Sequence, residues 1–569
     1  MRGPGRERIL SNMRTAEERR PSTRGLRVVC ALAALLGLSG AVLVPAGVPA
    51  SPIEYHITIP EPASRWLAVD LTLTDLPPAP LELRMSRASP GRYALHDFIR
   101  GVSQLQVTGD DGRLLVVNGP DAMGWTVPEH PASIRVSYRV RGDRVDGTYL
   151  AVDASHAHIN MPAALVWVKG QDRRSVRVSF DPPAGSAWQV ATQLLPGGTP
   201  LTFTAPNLQY LMDSPAELST FSTRRFTLTD GSRTATFRLA LHGTGTPADA
   251  DAYARDLAAV TREAQAVFGS LPVFESPEYT FIADFLPYSS GDGMEHRNSS
   301  VLTSSGTIAA ARADLVEKAA HEVFHAWNIE RIRPRSLEPF NFERENVSGE
   351  LWLGEGVTNY YGRLLTARAG VVSVDVLAAD LGNAINTVTR SRARRFRSVI
   401  EMSRLAPQVD GAPPERRAAV EDQFLSYYTW GETLALALDL HLRVRSNHRV
   451  TLDHLMRALW QRFGAVTGDP GYVARPYEHI DVQEALADVS GDAAFAQNFM
   501  NRYVFGSELP DFGLLLEPTG LTLRETQDVS RTGTATEARV GVLTVERTGR
   551  TPTAEQKAFR ERWTGPQRQ

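Results

Sequence analysis

Partway along this 569-residue chain the hydrophobic period changes, and that change limits what it can fold into. From Tyr55 to about Leu228, segments such as Trp66-Leu-Ala-Val-Asp-Leu-Thr-Leu and Ser133-Ile-Arg-Val-Ser-Tyr-Arg-Val alternate apolar with polar residues. A period of two puts every second side chain on one face of a strand. Turn signals at Pro90-Gly, Asp110-Asp-Gly and Pro196-Gly-Gly separate these runs, so an antiparallel β-sandwich is expected over 51–230. Strand-like text continues through Thr234-Ala-Thr-Phe-Arg-Leu-Ala-Leu, and from Ala248 the period becomes helical. It is clearest at Thr451 to Phe463, where Leu452, Leu455, Met456, Leu459, Trp460 and Phe463 mark one face and Gly464 supplies a stop. Helices are also expected from Ala311 to Ile329, stopped before Pro334, and from Gly354 to Ala369, ended by Gly370. The chain is therefore multidomain α+β: a mostly helical domain over 231–517 follows the sandwich, and a short polar tail covers 518–569.

Hydrophobic residues make up 42% and charged residues 22%, too polar for a polytopic membrane protein. Sixty-one basic residues against 64 acidic ones leave no basic excess to recommend nucleic acid as a partner. Residues 1–50 differ from the rest. Eight Arg accompany three Glu there, and an apolar run from Val28 to Val44 leads to Val48-Pro-Ala50. This reads as a secretory signal peptide cleaved after Ala50, with Met13 as a possible true start. The competing reading is an uncleaved membrane anchor, because a run of about 17 apolar residues is near the lower limit for spanning a bilayer. Export to the periplasm or the extracellular space is expected, with no stable membrane partner after cleavage. The single cysteine, Cys30, lies in this segment, so the chain can form no internal disulfide and any metal in the exported part must be held by His and carboxylates.

The chemistry concentrates in Leu315-Val-Glu-Lys-Ala-Ala-His321-Glu322-Val-Phe-His325-Ala-Trp-Asn328, whose core is His-Glu-x-x-His. Residues four apart share one helix face, so His321 and His325 can present two imidazole nitrogens to one zinc ion, with Glu322 beside the site as general base. A metzincin spacing would require Gly at 328 and His at 331; the chain has Asn328 and Arg331. The third ligand must then be a downstream carboxylate. Glu330, Glu343, Glu345 and Glu350 lie in a polar connection, whereas Glu355, in Leu351-Trp-Leu-Gly-Glu355-Gly, stands at the mouth of an apolar-periodic helix and is chosen. Two His and one Glu leave one zinc position for water, the catalytic arrangement. Asn359, one turn on, could orient a ligand imidazole or be a plain exposed helix residue.

These residues, with Ser89-Pro-Gly-Arg-Tyr-Ala-Leu-His-Asp-Phe, Gly293-Met-Glu295-His296, Arg331-Ile-Arg-Pro334 and Tyr427-Tyr428-Thr-Trp-Gly431, carry a family resemblance. The chain resembles the glycyl-aminopeptidase-like gluzincins, bacterial zinc peptidases related to the larger aminopeptidase N group, over about residues 55–520. The resemblance implies a thermolysin-like catalytic domain with one catalytic Zn2+. It also implies that Glu295 grips the free α-amine of a peptide substrate and that Tyr428 donates a hydrogen bond to the oxyanion, a role Tyr427 could hold instead. The implied activity is that of an aminopeptidase acting on peptides with a free N-terminus, with small residues such as Gly or Ala preferred. Two features depart from the pattern: Trp430 stands where many relatives carry a basic residue, and only about fifty residues follow Leu521, against the roughly ninety of the PDZ domain that members commonly carry. A zinc endopeptidase, and a non-catalytic peptide-binding protein on a peptidase scaffold, are the alternatives; retention of Glu322 argues against the second.

Overall fold

The computed structural model describes residues 50–412, 414–420, 423–527, 541–547 and 551–565. The expected signal segment, up to residue 49, lies outside them. Among the described residues no helix is long and apolar enough to cross a membrane.

Alternation becomes burial in the first half of the chain. A seven-stranded sheet has Ile53–Thr58, Trp66–Leu73 and Ile134–Arg141 near its centre. In Trp66–Leu73 the side chains of Leu67, Val69, Leu71 and Leu73 are buried and those between them are half-buried. Three-stranded and four-stranded sheets complete this β-rich region around one apolar core. Its pairings are antiparallel except one: Ile53–Thr58 runs parallel to Val176–Asp181.

A five-stranded sheet opens the second half, in the order Ser222–Asp230, Arg233–Gly243, Glu278–Phe285, Ser299–Ser304 and Asp292–His296. The expected boundary at 230/231 falls in the turn of a hairpin, because Ser222–Asp230 pairs residue by residue with Arg233–Gly243. Strands Arg233–Gly243 and Glu278–Phe285 are parallel, and the crossover between them is the helix Pro247–Phe268. Its ends are encoded locally: Thr246 and Asp249 form a capping box, and Gly269 closes it at φ 82°. Helical patterning gave no warning of Glu278–Phe285. That strand is buried on both faces, which removes the alternation that marks a half-exposed strand.

Helices form the remainder. The expected apolar face of Thr451 to Phe463 is buried in full, in an α-helix Leu452–Leu459 that widens to a π-turn at Trp460–Gly464. The two cores exchange side chains: Tyr93 from the β-rich half packs in the helical core, and Phe340 and Phe342 from the second half pack in the β core. The tail also folds onto the helices. Leu521–Gln527 pairs with Gly541–Arg547, and the helix Ala554–Thr564 buries Trp563, whose Nε1 donates to the Tyr360 hydroxyl at 2.9 Å.

Candidate metal centre and active site

The His-Glu-x-x-His segment closes the helix Ile308–Phe324, which Thr307 caps by accepting from the Ala310 amide. The helix is expected to reach Ile329 but ends at Phe324, with His325 as its C-cap. The turn that follows has a purpose readable in its hydrogen bonds. His325 Nδ1 lies 2.9 Å from the Asn328 carbonyl oxygen, which can only accept, so Nδ1 carries the proton and Nε2 keeps its lone pair. Asn328 is itself anchored. Its side-chain amide donates to the carbonyls of Leu353 and Gly354 at 2.9 and 3.2 Å and to the Thr358 hydroxyl at 2.9 Å, tying the turn to the segment that bears Glu355. Continuing the helix would have carried the 328 carbonyl away from His325.

Glu355 lies in a π-helical stretch, Trp352–Val357, ahead of the α-helix Thr358–Arg368. This stretch packs backbone to backbone against the helix Tyr427–Ser446: a Cβ on Gly356 would stand 2.4 Å from Gly431 Cα, and one on Gly431 2.3 Å from the Trp352 carbonyl. Only glycine at both positions allows that approach. The result places Glu355 Oε2 3.2 Å from His325 Nε2 and 3.6 Å from His321 Nε2, the two nitrogens being 3.0 Å apart. Ligand atoms arranged tetrahedrally at 2.0–2.2 Å from zinc stand about 3.4 Å apart, so this donor set fits the ion. Burial alone would raise the Glu355 pKa, but the two imidazoles hold it well below the usual carboxylate range. The other carboxylates weighed from sequence are engaged elsewhere: Glu330 by Arg333, Glu343 by Arg84, Glu345 by Arg416 and Glu350 by His479. Asn359 does not orient a ligand imidazole; its amide donates to Glu432 Oε2 at 2.7 Å.

A loop from the β-rich half supports the centre, which sequence reasoning registered only as a matching motif. Tyr93 donates its hydroxyl to Glu355 Oε1 at 2.5 Å. Arg92 pairs with Asp292, and Gly91, at φ 75°, lets the loop close to within 3.1 Å of Glu295 Oε2 as measured from an ideal Cβ. Strand Asp292–His296 runs so close to the motif helix that a Cβ on Gly293 would lie 2.0 Å from Glu322 Oε1. Glu295 follows on the same strand; its carboxylate, that of Glu322 and a His325 nitrogen lie within 4.8 Å of one another. Both carboxylates are buried, Glu295 at 6% exposure and Glu322 at 5%. Burial pushes both pKa values up; Glu355 adds to both, Glu322 to Glu295 and Asp292 to Glu322, while His325 opposes the rise in both and His321 opposes it in Glu322.

An open cleft of about 540 Å³ leads to this centre, bordered by His321, Glu322, Gly293 and Tyr428. Asp292, Asp314, Glu317, Asp380 and Lys318 also line it, with Asp292 paired to Arg92 and Glu317 to Arg363. Glu295 is not among the residues that line the cleft. Of the two tyrosines, Tyr428 faces the cleft and its ring stacks 6.3 Å from that of His321, whereas Tyr427 is buried between Tyr428 and Tyr93. Trp430 is fully buried and its indole Nε1 has no hydrogen-bond partner among the described residues.

The chain matches two models of one family: the Peptidase M61 N-terminal domain over residues 54–220 and the M61 glycyl aminopeptidase over residues 314–434, together about half its length. No curated protein matches it. Among solved structures it is similar to an aminopeptidase N family protein from Idiomarina loihiensis, with 23% identity, a TM-score of 0.70, and coverage of 86% of this chain and 81% of that one. An M1 zinc metallopeptidase from Deinococcus radiodurans is more distant, at 17% identity and a TM-score of 0.47 over 81% of this chain and 95% of that one. At 23% identity the first likeness speaks for the fold.

Proposed function

This chain belongs to the M61 glycyl aminopeptidase family and is thereby a zinc metallopeptidase; from that premise we propose an exported aminopeptidase that releases single residues from peptides with a free N-terminus. The observation that carries the reading is the position of Glu295, whose buried carboxylate lies within 4.8 Å of donor atoms of Glu322 and His325. An ammonium drawn that far from water needs a negative partner, and Glu295 supplies one. A peptide held there by its α-amine has its first peptide bond, and no later one, beside Glu322.

His321, His325 and Glu355 would hold the zinc ion, whose chemistry is to polarise a carbonyl and lower the pKa of water. Glu322 takes a proton from the attacking water as the new C–O bond forms, then passes it to the departing amine as the C–N bond breaks. Tyr428, at the cleft wall, donates a hydrogen bond to the oxygen on which charge develops. The preference for Gly or Ala rests on the family, and export rests on the basic and apolar composition of residues 1–50.

Release of free amino acid from short peptides by the zinc-loaded protein tests the proposal. Glu322→Ala should abolish release while retaining zinc. Release of internal fragments as the first products would point to an endopeptidase, and zinc binding without any cleavage to a peptide-binding scaffold.

A further inference from the structure

A second cluster of metal-binding side chains lies away from the peptidase motif, where the four-stranded sheet of the β-rich half meets the five-stranded sheet. Strand periodicity builds it. His156 and His158, two apart on His156–Ile159, project to one face, and Glu217 on the neighbouring strand Ala216–Ser219 is the register partner of His158. From the other sheet come His242 and Asp284, register partners on Arg233–Gly243 and Glu278–Phe285. His156, Glu217 and Asp284 are at most 1% exposed, and the His242 side chain is 11% exposed.

One long hydrogen bond, between His156 Nδ1 and Glu217 Oε2 at 3.5 Å, is all that joins these four side chains among the described residues. His156 Nδ1 stands 3.4 Å from Glu217 Oε1, and His242 Nδ1 stands 3.7 Å from that same oxygen and 3.3 Å from Asp284 Oδ1. These separations exceed normal N–H···O distances but match the roughly 3.4 Å between ligand atoms around a tetrahedral zinc. Glu217 Oε1, His242 Nδ1 and both Asp284 carboxylate oxygens are buried without hydrogen-bond partners among the described residues. Two carboxylates sealed at a sheet junction need a counter-charge, which a divalent cation supplies when the histidines are its neutral ligands. Asp153 Oδ2, which accepts from the Tyr288 hydroxyl at 2.7 Å, lies 3.4 Å from His156 Nε2 and adds a further carboxylate beside the cluster. His158 Nδ1 lies 3.7 Å from the other oxygens of both Glu217 and Asp284.

We propose that His156, Glu217, His242 and Asp284 hold a structural zinc ion that staples the two sheets together. Four protein ligands in a buried, closed site leave no position for substrate. In a chain whose single cysteine rules out internal disulfides, such an ion supplies the cross-link.

The test uses the full chain with His321→Ala and His325→Ala, which disable the peptidase centre and leave the second cluster intact. After equilibration with zinc and removal of free metal, one zinc ion per chain is expected by mass spectrometry, with a melting temperature that falls on chelation and recovers with zinc. Adding Glu217→Gln and Asp284→Asn should remove that ion. A folded His321→Ala/His325→Ala protein that retains no zinc, and whose melting temperature ignores the chelator, overturns the proposal. That arm decides alone if the further variant fails to fold.

Discussion

Tyr93 donates its hydroxyl to Glu355 Oε1 at 2.5 Å, joining a loop of the β-rich half to the carboxylate of the candidate metal centre. The bond leaves Oε2 turned toward the two histidines. Tyr93→Phe removes the hydroxyl and little volume, so the fold should persist while zinc affinity falls about 10- to 100-fold, the range typical for partners that orient a ligand. Competition against a chromophoric chelator measures this; unchanged affinity would confine Tyr93 to packing.

Gly293 is where a strand passes over the general base. A methyl group there would stand 2.0 Å from Glu322 Oε1, so Gly293→Ala must displace the carboxylate or the strand. The expected outcome is a kcat loss of about 100-fold or more, as a misplacement near 1 Å produces, with zinc content unchanged.

Glu350 ties the connection after the motif helix to the later helices. It lies 3.0 Å from His479 Nδ1 and accepts from Ser336 and Ser348 at 3.0 and 2.8 Å. Burial opposes its ionisation, but these partners bring its pKa down to about 2. An unfolded glutamate titrates near 4.3, so the contribution to stability is full above that value and is lost as pH falls toward 2. Glu350→Gln should cost about 1–2 kcal/mol at pH 7, discounted for partial exposure, and its deficit should shrink below pH 4.3 in urea unfolding at a series of pH values.

Trp563 tests whether the tail is part of the catalytic body. It is fully buried and bonded to Tyr360, so Trp563→Ala should destabilise the fold by about 3–5 kcal/mol. A loss near zero in chemical denaturation would mean that the tail is dispensable.

What the sequence disclosed follows from how local each signal is. His321, His325 and Glu322 are read from a single helical repeat, and the fold brings these side chains together with Glu355. The period of two in Trp66–Leu73 and the apolar face from Leu452 to Phe463 both survive as burial. Signals that depend on distant chain are lost. Asn328 looked like a failed metzincin position, although its carbonyl sets the His325 tautomer, because its anchors lie 25–30 residues further on. Asn359, one turn from Glu355, invited a role beside the metal, but its partner is Glu432 on a separate helix. Strand Glu278–Phe285 was missed because burial on both faces erases its period. His156-Ala-His158 carries a legible cue, two histidines on one face of a strand, but Glu217, His242 and Asp284, which complete the cluster, come from three other strands.

In the proposed function, Glu295 makes this metallopeptidase an aminopeptidase by gripping the substrate amine. The most direct measurement is kcat/KM on matched peptides with free and acetylated N-termini, for the wild type and for Glu295→Gln. A strong preference for the free peptide is expected, and it should collapse in the variant, mainly through a loss on the free peptide, with zinc content intact. Equal cleavage of both peptides by the wild type, or a preference that survives in Glu295→Gln, would contradict it.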